Sequence, residues 1–430
     1  MLMSSPDRVL WWMPLDNAAK VYPAARTKKW TNVFRLSVTL TEPVDVELLQ
    51  DALDLTVNRF PSMAARLRRG MFWYYLQEVD RAPLVQRESS WPLTPMGRQD
   101  LRNCAFRVIV YRRRIAVEFF HSLTDGNGGL VFLKTLTAEY LRRKYGVYIP
   151  ASHGILDLAQ NPQPAEYEDS FQKYGAAVRA SRKQADAWRL SGTPEPDGFH
   201  HVTCLRMQTA QLLNLAHSYG VSLTAFLTAV MMQALLELQK TRIPNPKKHK
   251  PIKVIIPVNL RKLFPSQTLR NFVLYTTPEV DPQLGDYDLQ ELCRIVHHQM
   301  RLEITPKRMR TLIATNLFSE RVMAVRVMPL FIKNFVIKAV YNAVGERKSC
   351  LCISNLGQAE IPAEMVPYVE RFDFILGVQA TGHHNCGVIS YGDTLYFNLI
   401  RNVKESDLEY HFFKVLRELG VEVTAESNRN

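Results

Sequence analysis

A histidine and an aspartate separated by three residues form the segment of this 430-residue chain with the clearest chemical potential. The hexapeptide His121-Ser122-Leu123-Thr124-Asp125-Gly126 directly follows the apolar run Ile115–Phe120. Histidine titrates near neutral pH and suits a general base, while aspartate can hold a neighbouring loop and glycine permits a sharp turn. These residue types at this spacing predict a general-base site. The alternative interpretation is a buried histidine beside a turn, with Asp125 capping the next helix.

The segments on either side of the hexapeptide are predicted to position it. Ile115–Phe120 is rich in β-branched and aromatic residues, which is typical of a strand. Leu130–Tyr145 has apolar residues three and four positions apart, which is typical of a helix. His121 is therefore expected where a strand ends, just before a helix begins.

Strands and helices are predicted to alternate through the rest of the chain, which indicates an α/β protein. The predicted strands are Cys204–Gln208 and Lys253–Val258, with a late hairpin in Gly387–Ile400 that turns at Gly392-Asp393. The predicted helices are Thr209–Tyr219 and Ser222–Lys240, with a short polar helix expected within Tyr167–Leu190.

The length of the chain exceeds that of one ordinary compact domain, so two domains are expected. Prolines and glycines concentrate in two breaks, at 161–164 and 192–198. We therefore predict an N-terminal lobe over 1–165 that carries the hexapeptide, an interdomain connection over 166–200 and a C-terminal lobe over 201–430.

The pattern His-x-x-x-Asp-Gly resembles the motif shared by chloramphenicol acetyltransferase, peptide-synthetase condensation domains and alcohol acetyltransferases. Further similarity lies in Val33–Leu67, Ile256–Arg261, Leu269–Val273 and Ile353–Gly357, the last being similar to the alcohol acetyltransferase branch. Many relatives have two consecutive histidines, whereas this chain has Phe120 before His121. The family assigns the chemistry to the second histidine, so the departure leaves His121 in place.

The resemblance implies an α/β fold of two chloramphenicol-acetyltransferase-like lobes, mixed sheets with flanking helices, and a tunnel between them. It implies transfer of an acyl group, plausibly acetyl, from coenzyme A to an alcohol or other hydroxyl acceptor. His121 would be the general base. Asp125 would pair with Arg261 to support the motif, and Gly126 would let the chain turn sharply beside the base.

The developing oxyanion of acyl transfer needs a hydrogen-bond donor. Ser354 or Asn355 is a candidate if the Ser-Asn-Leu-Gly turn faces the tunnel, although a turn that merely ends a strand has the same composition. The chain lacks Gly-x-Ser-x-Gly, so no covalent acyl-enzyme is predicted.

Acyl-CoA is predicted as a co-substrate, with no bound cofactor and no identified coenzyme-binding residues. Two alternatives stay open. One is a stand-alone condensation-type enzyme that takes its acyl group from a carrier protein in trans, and the other is a non-catalytic relative that only binds. An amine could replace the hydroxyl acceptor.

The chain carries a formal charge of +13, which favours contact with an anionic molecule or surface. Basic clusters occur at Arg66–Arg69, Arg112–Arg114 and Lys247–Lys250. Each could hold the phosphates of coenzyme A or form a solvated loop. No helix-turn-helix, zinc-finger or RNA-reading pattern accompanies them, so no nucleic acid partner is predicted.

The segment Met328–Val344 is strongly apolar but is interrupted by Lys333 and Lys338, so it is predicted as a packed or amphipathic helix and not a membrane span. Core packing is the main interpretation of its large side chains. Lining an acyl pocket or resting on a membrane surface are the alternatives.

The six cysteines form no dense disulfide framework, and Cys350 and Cys352 have no second close pair to complete a metal site. Adjacent histidines such as His383 and His384 point apart and make no ligand set, although this segment could reach the tunnel. No metal is predicted. The first residues lack the pattern of a signal peptide, so a cytoplasmic location is expected.

Overall fold

The computed structural model describes residues 11–26, 31–175, 185–344, 348–379 and 382–429 of the chain. They form two α/β lobes, each built on a mixed sheet with flanking helices, and a small third sheet. The fold class predicted from the sequence is confirmed.

The strands are numbered in chain order. They are β1 (Trp12–Pro14), β2 (Val33–Leu40), β3 (Ala65–Arg69), β4 (Tyr74–Glu78), β5 (Gln86–Arg87), β6 (Phe106–Tyr111), β7 (Arg114–Phe120), β8 (His201–Gln208), β9 (Ile252–Asn259), β10 (Val273–Thr276), β11 (Glu279–Val280), β12 (Leu351–Gln358), β13 (Val369–Ile375), β14 (His384–Tyr391), β15 (Thr394–Arg401) and β16 (Val423–Ser427).

The α-helices are numbered in the same way. They are α1 (Val21–Ala25), α2 (Val46–Arg59), α3 (Arg98–Asn103), α4 (Gly126–Tyr145), α5 (Ser170–Tyr174), α6 (Thr209–Ser218), α7 (Leu223–Arg242), α8 (Leu289–Glu303), α9 (Pro306–Arg321), α10 (Met323–Val327), α11 (Leu330–Val344) and α12 (Asp407–Glu418).

The first lobe is a five-stranded sheet in the order β13-β2-β7-β6-β5. Helices α2 and α4 pack together, and α4 also lies against β2 and β7. The Asp125 carboxylate caps the N-terminus of helix α4. Gly146 caps its C-terminus with φ +68°, a left-handed conformation that glycine adopts without strain. The end of β7 and the start of α4 thus fix the predicted motif between them.

The second lobe is an eight-stranded sheet in the order β10-β9-β12-β14-β15-β8-β16, with β11 alongside β9. Strand β12 runs parallel to both of its neighbours, whereas the other pairs in this sheet are antiparallel. Helix α7 is buried on nearly every side because it packs between the sheet, α8 and α12. This layer gives the second lobe its own apolar core.

Strand β13 belongs to the second half of the sequence but pairs antiparallel with β2 of the first lobe. It also contacts β14 of the second lobe, so the two sheets meet at this strand. A Cβ at Gly387 would lie 2.2 Å from the carbonyl oxygen of Phe374, so only glycine allows this close approach. The boundaries predicted at 165 and 200 stay predictions, and any division of the chain must count β13 with the first lobe.

Most of the predicted elements are confirmed to within a few residues at their ends, including the hairpin β14–β15 that turns at Gly392. Within 167–190, where a short polar helix was expected, Ser170–Tyr174 is helical and residues 185–190 are not, and 176–184 lie outside the described residues. Three of the six residues in the 185–190 stretch, Ala187, Trp188 and Leu190, are buried, so packing replaces regular structure.

The helix predicted over Met328–Val344 is present as α11, but core packing is the wrong interpretation of its largest side chains. Phe331 and Phe335 are 67% and 76% exposed. Among the described residues, no single helix is long and apolar enough to cross a membrane, and one pair, α6 with α7, meets the length and composition criteria jointly with a bend of 82°.

Candidate active site

His121 lies at the first position after β7, as its sequence context predicts. Its backbone N–H donates to the carbonyl of Asn32 at 2.8 Å, and the Ser122 hydroxyl donates to the carbonyl of Ala19 at 3.1 Å. The residues from Ser122 to Asp125 are buried, whereas His121 keeps part of its surface accessible. The motif is therefore a fixed turn that presents one imidazole.

Two aromatic rings hold that imidazole in place. Tyr22 of α1 stacks on it with ring centroids 4.5 Å apart, and Phe34 of β2 meets it edge-on at 5.0 Å. Aromatic walls restrict rotation of the histidine and shield it from water. Burial in this setting lowers the pKa of His121, and the charge of Asp125 opposes that effect. Burial therefore favours the neutral form of the ring.

Asn271 determines which nitrogen of His121 is available. Its amide Nδ2 donates to the Asp16 carboxyl group at 3.2 Å and to the His121 carbonyl at 3.0 Å, and a backbone carbonyl can only accept. Its Oδ1 must therefore be the atom 3.1 Å from His121 Nδ1, so Nδ1 carries the hydrogen. In the neutral ring, Nε2 is then the nitrogen without a hydrogen.

Asp16 continues this chain of hydrogen bonds into the core. The carboxyl group is fully buried, accepts from the backbone N–H of Ala19 at 2.8 Å and lies 3.7 Å from the guanidinium of Arg270. Burial raises the pKa of Asp16, while Arg270 opposes the shift. Hydrogen bonds between Asp16 and Asn271 and between Asn271 and His121 thus orient the imidazole.

Asp125 points away from His121 and accepts four hydrogen bonds. One oxygen caps α4 by accepting from the N–H groups of Asn127 and Gly128, each at 3.1 Å. The other accepts from Arg261 Nη1 at 2.8 Å and from the backbone of Phe272 at 2.9 Å. Asp125 thus serves both as the helix cap and as the carboxylate partner of Arg261, and the two interpretations offered by the sequence are compatible.

Arg261 fixes the loop that carries Asn271. Besides pairing with Asp125, its guanidinium donates to the carbonyls of Thr268 at 2.9 Å and Arg270 at 2.5 Å. The Thr124 hydroxyl donates to the carbonyl of the intervening Leu269 at 2.6 Å. Since Asp125 follows β7 and Arg261 follows β9, these bonds also join the two lobes. Arg261 reaches His121 through the loop and not by contact.

The glycines of the motif are needed for close packing. A Cβ at Gly126 would lie 2.8 Å from the side chain of Leu356, and one at Gly128 would lie 2.2 Å from the carbonyl oxygen of Leu269. The contact at Gly128 is with backbone and cannot relax by side-chain rotation. Gly126 therefore admits the end of β12, and Gly128 admits the loop that holds Asn271.

Ser354 and Asn355 reach the motif through their neighbour Leu356. The amide nitrogen of Asn355 donates to the Thr224 hydroxyl at 3.1 Å, and its oxygen accepts from the N–H of Gly357 at 2.8 Å. Gly357 has φ +79°, so Asn355 and Gly357 together build the turn that ends the strand's regular pairing. Ser354 is buried on β12. A donor role for either stays a prediction, and the bonds of Asn355 favour Ser354.

A cavity of about 1270 Å³ opens between residues of both lobes. Two of its lining residues adjoin the surroundings of His121, because Pro23 follows the stacked Tyr22 and Thr31 precedes Asn32. His121 is not itself among the lining residues. Five arginines line the cavity: Arg26, Arg68, Arg69, Arg98 and Arg102.

The cavity is lined by more positive than negative side chains. Among the described residues that line it, the one carboxylate belongs to Glu195, which bonds His201 at 2.6 Å. Burial and the nearby charge of Arg98 lower the pKa of Arg26. Arginine at such a site suits a phosphate or carboxylate. His383 also lines the cavity, held by Asn402 at 2.8 Å, so the segment 382–387 reaches it.

The structure brings together His121, Asp125, Gly126 and Arg261, all of which were predicted as site residues. The hydrogen bonds of Asn271 and Asp16 and the stacking of Tyr22 on His121 were not predicted. Asn271 lies in a segment whose similarity was noted, so a polar residue there was a usable signal. Asp16 and Tyr22 lie far from the motif in sequence, and no local pattern distinguishes them.

No protein-family model matches the sequence, and no curated protein matches it significantly. Solved structures do match over nearly the whole chain. The first condensation domain of the calcium-dependent antibiotic synthetase, in complex with a substrate analogue, has a TM-score of 0.62 at 14% identity and covers 95% of this chain and 96% of its own. The fold of the present chain is that of condensation domains.

Acetyltransferases share the same fold. TRI101 of F. graminearum, complexed with coenzyme A and T-2 mycotoxin, has a TM-score of 0.61 at 11% identity and covers 96% of this chain and 99% of its own. Polyketide synthase associated protein 5 from Mycobacterium tuberculosis has a TM-score of 0.59 at 15% identity, covering 94% and 96%. At these identities the comparison establishes the architecture of two lobes.

Proposed function

We propose that this chain, with the fold that condensation domains share with trichothecene acetyltransferases, transfers an acyl group from a thioester to a hydroxyl or amine acceptor. The acceptor we favour is an alcohol, and the donor we favour is an acyl-CoA, plausibly acetyl-CoA. The observation that carries the proposal is the hydrogen bond from His121 Nδ1 to Asn271. It leaves Nε2 unprotonated in a neutral, partly accessible imidazole.

In the proposed reaction, His121 Nε2 takes the proton of the acceptor hydroxyl as its oxygen attacks the thioester carbonyl. The tetrahedral adduct then collapses, the carbon–sulfur bond breaks, and the imidazolium returns the proton to the leaving thiolate. The products are an ester and a free thiol, and no acyl group becomes attached to the protein. Asn271 and Asp16 stabilise the transient imidazolium and keep its orientation.

The negative charge on the adduct oxygen calls for a donor, and we assign this role to Ser354 in preference to Asn355. Both residues precede Leu356, which contacts Gly126 of the motif. The amide of Asn355 is already engaged by Thr224 and Gly357. A Ser354→Ala variant is expected to lower kcat with little change in KM, since the donor acts on a charge that exists only in the transition state.

The arginine-lined cavity supports a donor that carries phosphate. Coenzyme A and the phosphopantetheine arm of a carrier protein both have a thiol at one end and phosphate at the other. The Arg68 and Arg69 side chains belong to one of the three basic clusters for which the sequence left open phosphate binding or a solvated loop, and they line this cavity. Charge-assisted bonds from arginine to phosphate would orient the thioester toward His121.

A carrier-protein donor is the second candidate, and it is favoured by the likeness to condensation domains. The two donors differ in what surrounds the phosphate: a nucleotide in coenzyme A and a protein surface in the carrier. We propose a cytoplasmic location for either reaction, supported by six free cysteines that are all buried.

The test measures release of free thiol from acyl-CoA, from acyl-pantetheine and from acylated carrier protein, each with a panel of alcohols and amines. Wild-type protein is expected to release thiol only when an acceptor is present, and His121→Gln is expected to abolish release. The paired change Arg98→Gln and Arg102→Gln is expected to raise KM for acyl-CoA by about tenfold and leave acyl-pantetheine unaffected.

Arg294→Gln is the control, because this exposed arginine lies on α8 of the second lobe and does not line the cavity. Release from the carrier-bound donor alone would select the condensation-type reaction. Equal release by wild type and His121→Gln would refute the general-base assignment.

A further inference from the structure

Helix α11 presents an apolar face that the described part of the protein leaves uncovered. Phe331 and Phe335 are 67% and 76% exposed, and Ile332, Val336 and Val340 are 41%, 42% and 55% exposed. These five residues recur three and four positions apart, so they lie along one side of the helix. They are named here the α11 face. Isolated exposed apolar residues are common, but a continuous row of large ones indicates an interaction site.

The hairpin between β3 and β4 extends the α11 face at its N-terminal end. The backbone N–H of Leu330 donates to the carbonyl of Met71 at 3.0 Å, and Lys333 Nζ donates to the carbonyl of Phe72 at 2.8 Å. Met71 is 76% exposed at the tip of this hairpin. Apolar side chains therefore project from a helix and from the turn that is hydrogen-bonded to it.

The second extension is α10, which precedes α11 directly. Met323 and Val327 are 68% and 56% exposed. Lys333, by contrast, is buried, with its Nζ 3.5 Å from the ring centroid of Trp73. This contact anchors α11 to the hairpin. The α11 face is therefore positioned by tertiary contacts of the buried Lys333 on the same helix.

The charges around this surface are positive. The stretch 321–344 contains four basic residues and no acidic one. Arg326 and Lys338 are exposed beside the apolar residues, and Arg69 is exposed on the hairpin. The acidic residue before this stretch, Glu320, is paired with Lys20. A cationic rim around projecting apolar side chains matches an anionic lipid surface, where basic residues meet headgroups and apolar ones enter the acyl boundary.

We propose that the α11 face docks the protein on an anionic membrane, with α11 lying in the plane of the interface. The overall charge of +13 adds long-range attraction to the same surface. Helix α11 packs against α1, whose Tyr22 stacks on His121, so the docked surface adjoins the candidate active site.

The test is co-sedimentation of the full chain with vesicles of phosphatidylcholine, with and without phosphatidylserine. The wild type is expected to bind the anionic vesicles, and binding is expected to fall as salt rises. Changing Phe331→Ser and Phe335→Ser together is expected to lower binding by at least about tenfold. Changing Arg326→Gln and Lys338→Gln is expected to remove the preference for phosphatidylserine.

The control is Leu284→Ser together with Leu302→Ser. These residues are 82% and 77% exposed but lie after β11 and at the end of α8, away from α11 in the fold. Since Phe331, Phe335, Leu284 and Leu302 all have exposed side chains, neither of these two double variants should change the melting temperature. The proposal is overturned if wild type and the phenylalanine variant bind vesicles equally. It is also overturned if the wild type ignores vesicles and forms a dimer that the phenylalanine variant dissociates. Neither readout uses enzymatic activity, so failure here is separate from failure of the proposed function.

Discussion

Replacing Asn271 by alanine should disturb His121 without touching the imidazole itself. The change removes three hydrogen bonds, with lengths of 3.1, 3.0 and 3.2 Å. Two are neutral bonds worth about 1 kcal/mol each, and the bond to the Asp16 carboxylate is worth about 2 kcal/mol. Asn271→Ala is therefore expected to lower the free energy of unfolding by about 4 kcal/mol.

The catalytic effect has a different origin. Without Oδ1 of Asn271, the neutral ring is free to carry its hydrogen on Nε2, where it blocks the lone pair that accepts the substrate proton. Loss of the correct tautomer should lower kcat by between about 10²-fold and 10⁴-fold. Ring-nitrogen NMR reads the tautomer directly, with the His121 signals assigned by their absence in His121→Gln.

The matched control is Gln239→Ala, which removes another buried amide. Gln239 bonds the backbone of Lys250 twice, at 3.2 and 3.0 Å, in the second lobe. It should cost about 2 kcal/mol of stability and leave both tautomer and kcat unchanged. The reasoning is refuted if His121 in Asn271→Ala keeps its hydrogen on Nδ1, or if Asn271→Ala and Gln239→Ala lose the same fraction of kcat.

Three further changes test the supports of the site. Arg261→Gln leaves the buried carboxylate of Asp125 without its cation and should cost about 3–5 kcal/mol in urea unfolding, so an unchanged midpoint would contradict the pairing. Gly128→Ala should cost about 1–3 kcal/mol because its Cβ meets backbone, whereas Gly97→Ala, whose Cβ comes 3.2 Å from a movable carboxylate, should be nearly neutral by the same measurement. Burial raises the pKa of Asp16, so stability declines as pH rises through the interval above the ordinary value of 3.8. Asp16→Asn removes this decline, so the stability of the variant relative to wild type should grow as the pH rises above about 4, whereas a constant difference would mean that the pKa of Asp16 is not raised.

Local sequence patterns predicted much of the fold because many strands and helices are determined by residues that are close together in the sequence. The β-branched run before His121 and the apolar spacing after Gly129 define β7 and α4 without any distant contact. The crossing of β13 was not predictable in this way. Its contact with β14 depends on the close approach at Gly387, and a glycine in a strand does not reveal which backbone approaches it.

The site residues likewise differ in whether the sequence could predict them. His121 and Asp125 lie four positions apart in one motif, and Arg261 was predicted from the family resemblance. Asn271 and Asp16 act through hydrogen bonds that span more than 100 residues of sequence, so their roles exist only after folding. The α11 face shows the converse limit. Periodicity indicates which residues share a side of a helix, but it does not indicate whether the rest of the chain covers that side.

The most direct test of the central claim compares acceptor-dependent release of thiol from acyl-CoA and carrier-bound donors by wild type, His121→Gln and Gln239→Ala. We expect release by wild type and Gln239→Ala and none by His121→Gln, with all three proteins folded. Release by His121→Gln at the wild-type rate, or none by wild type with any donor and acceptor, would contradict an acyltransferase whose base is His121.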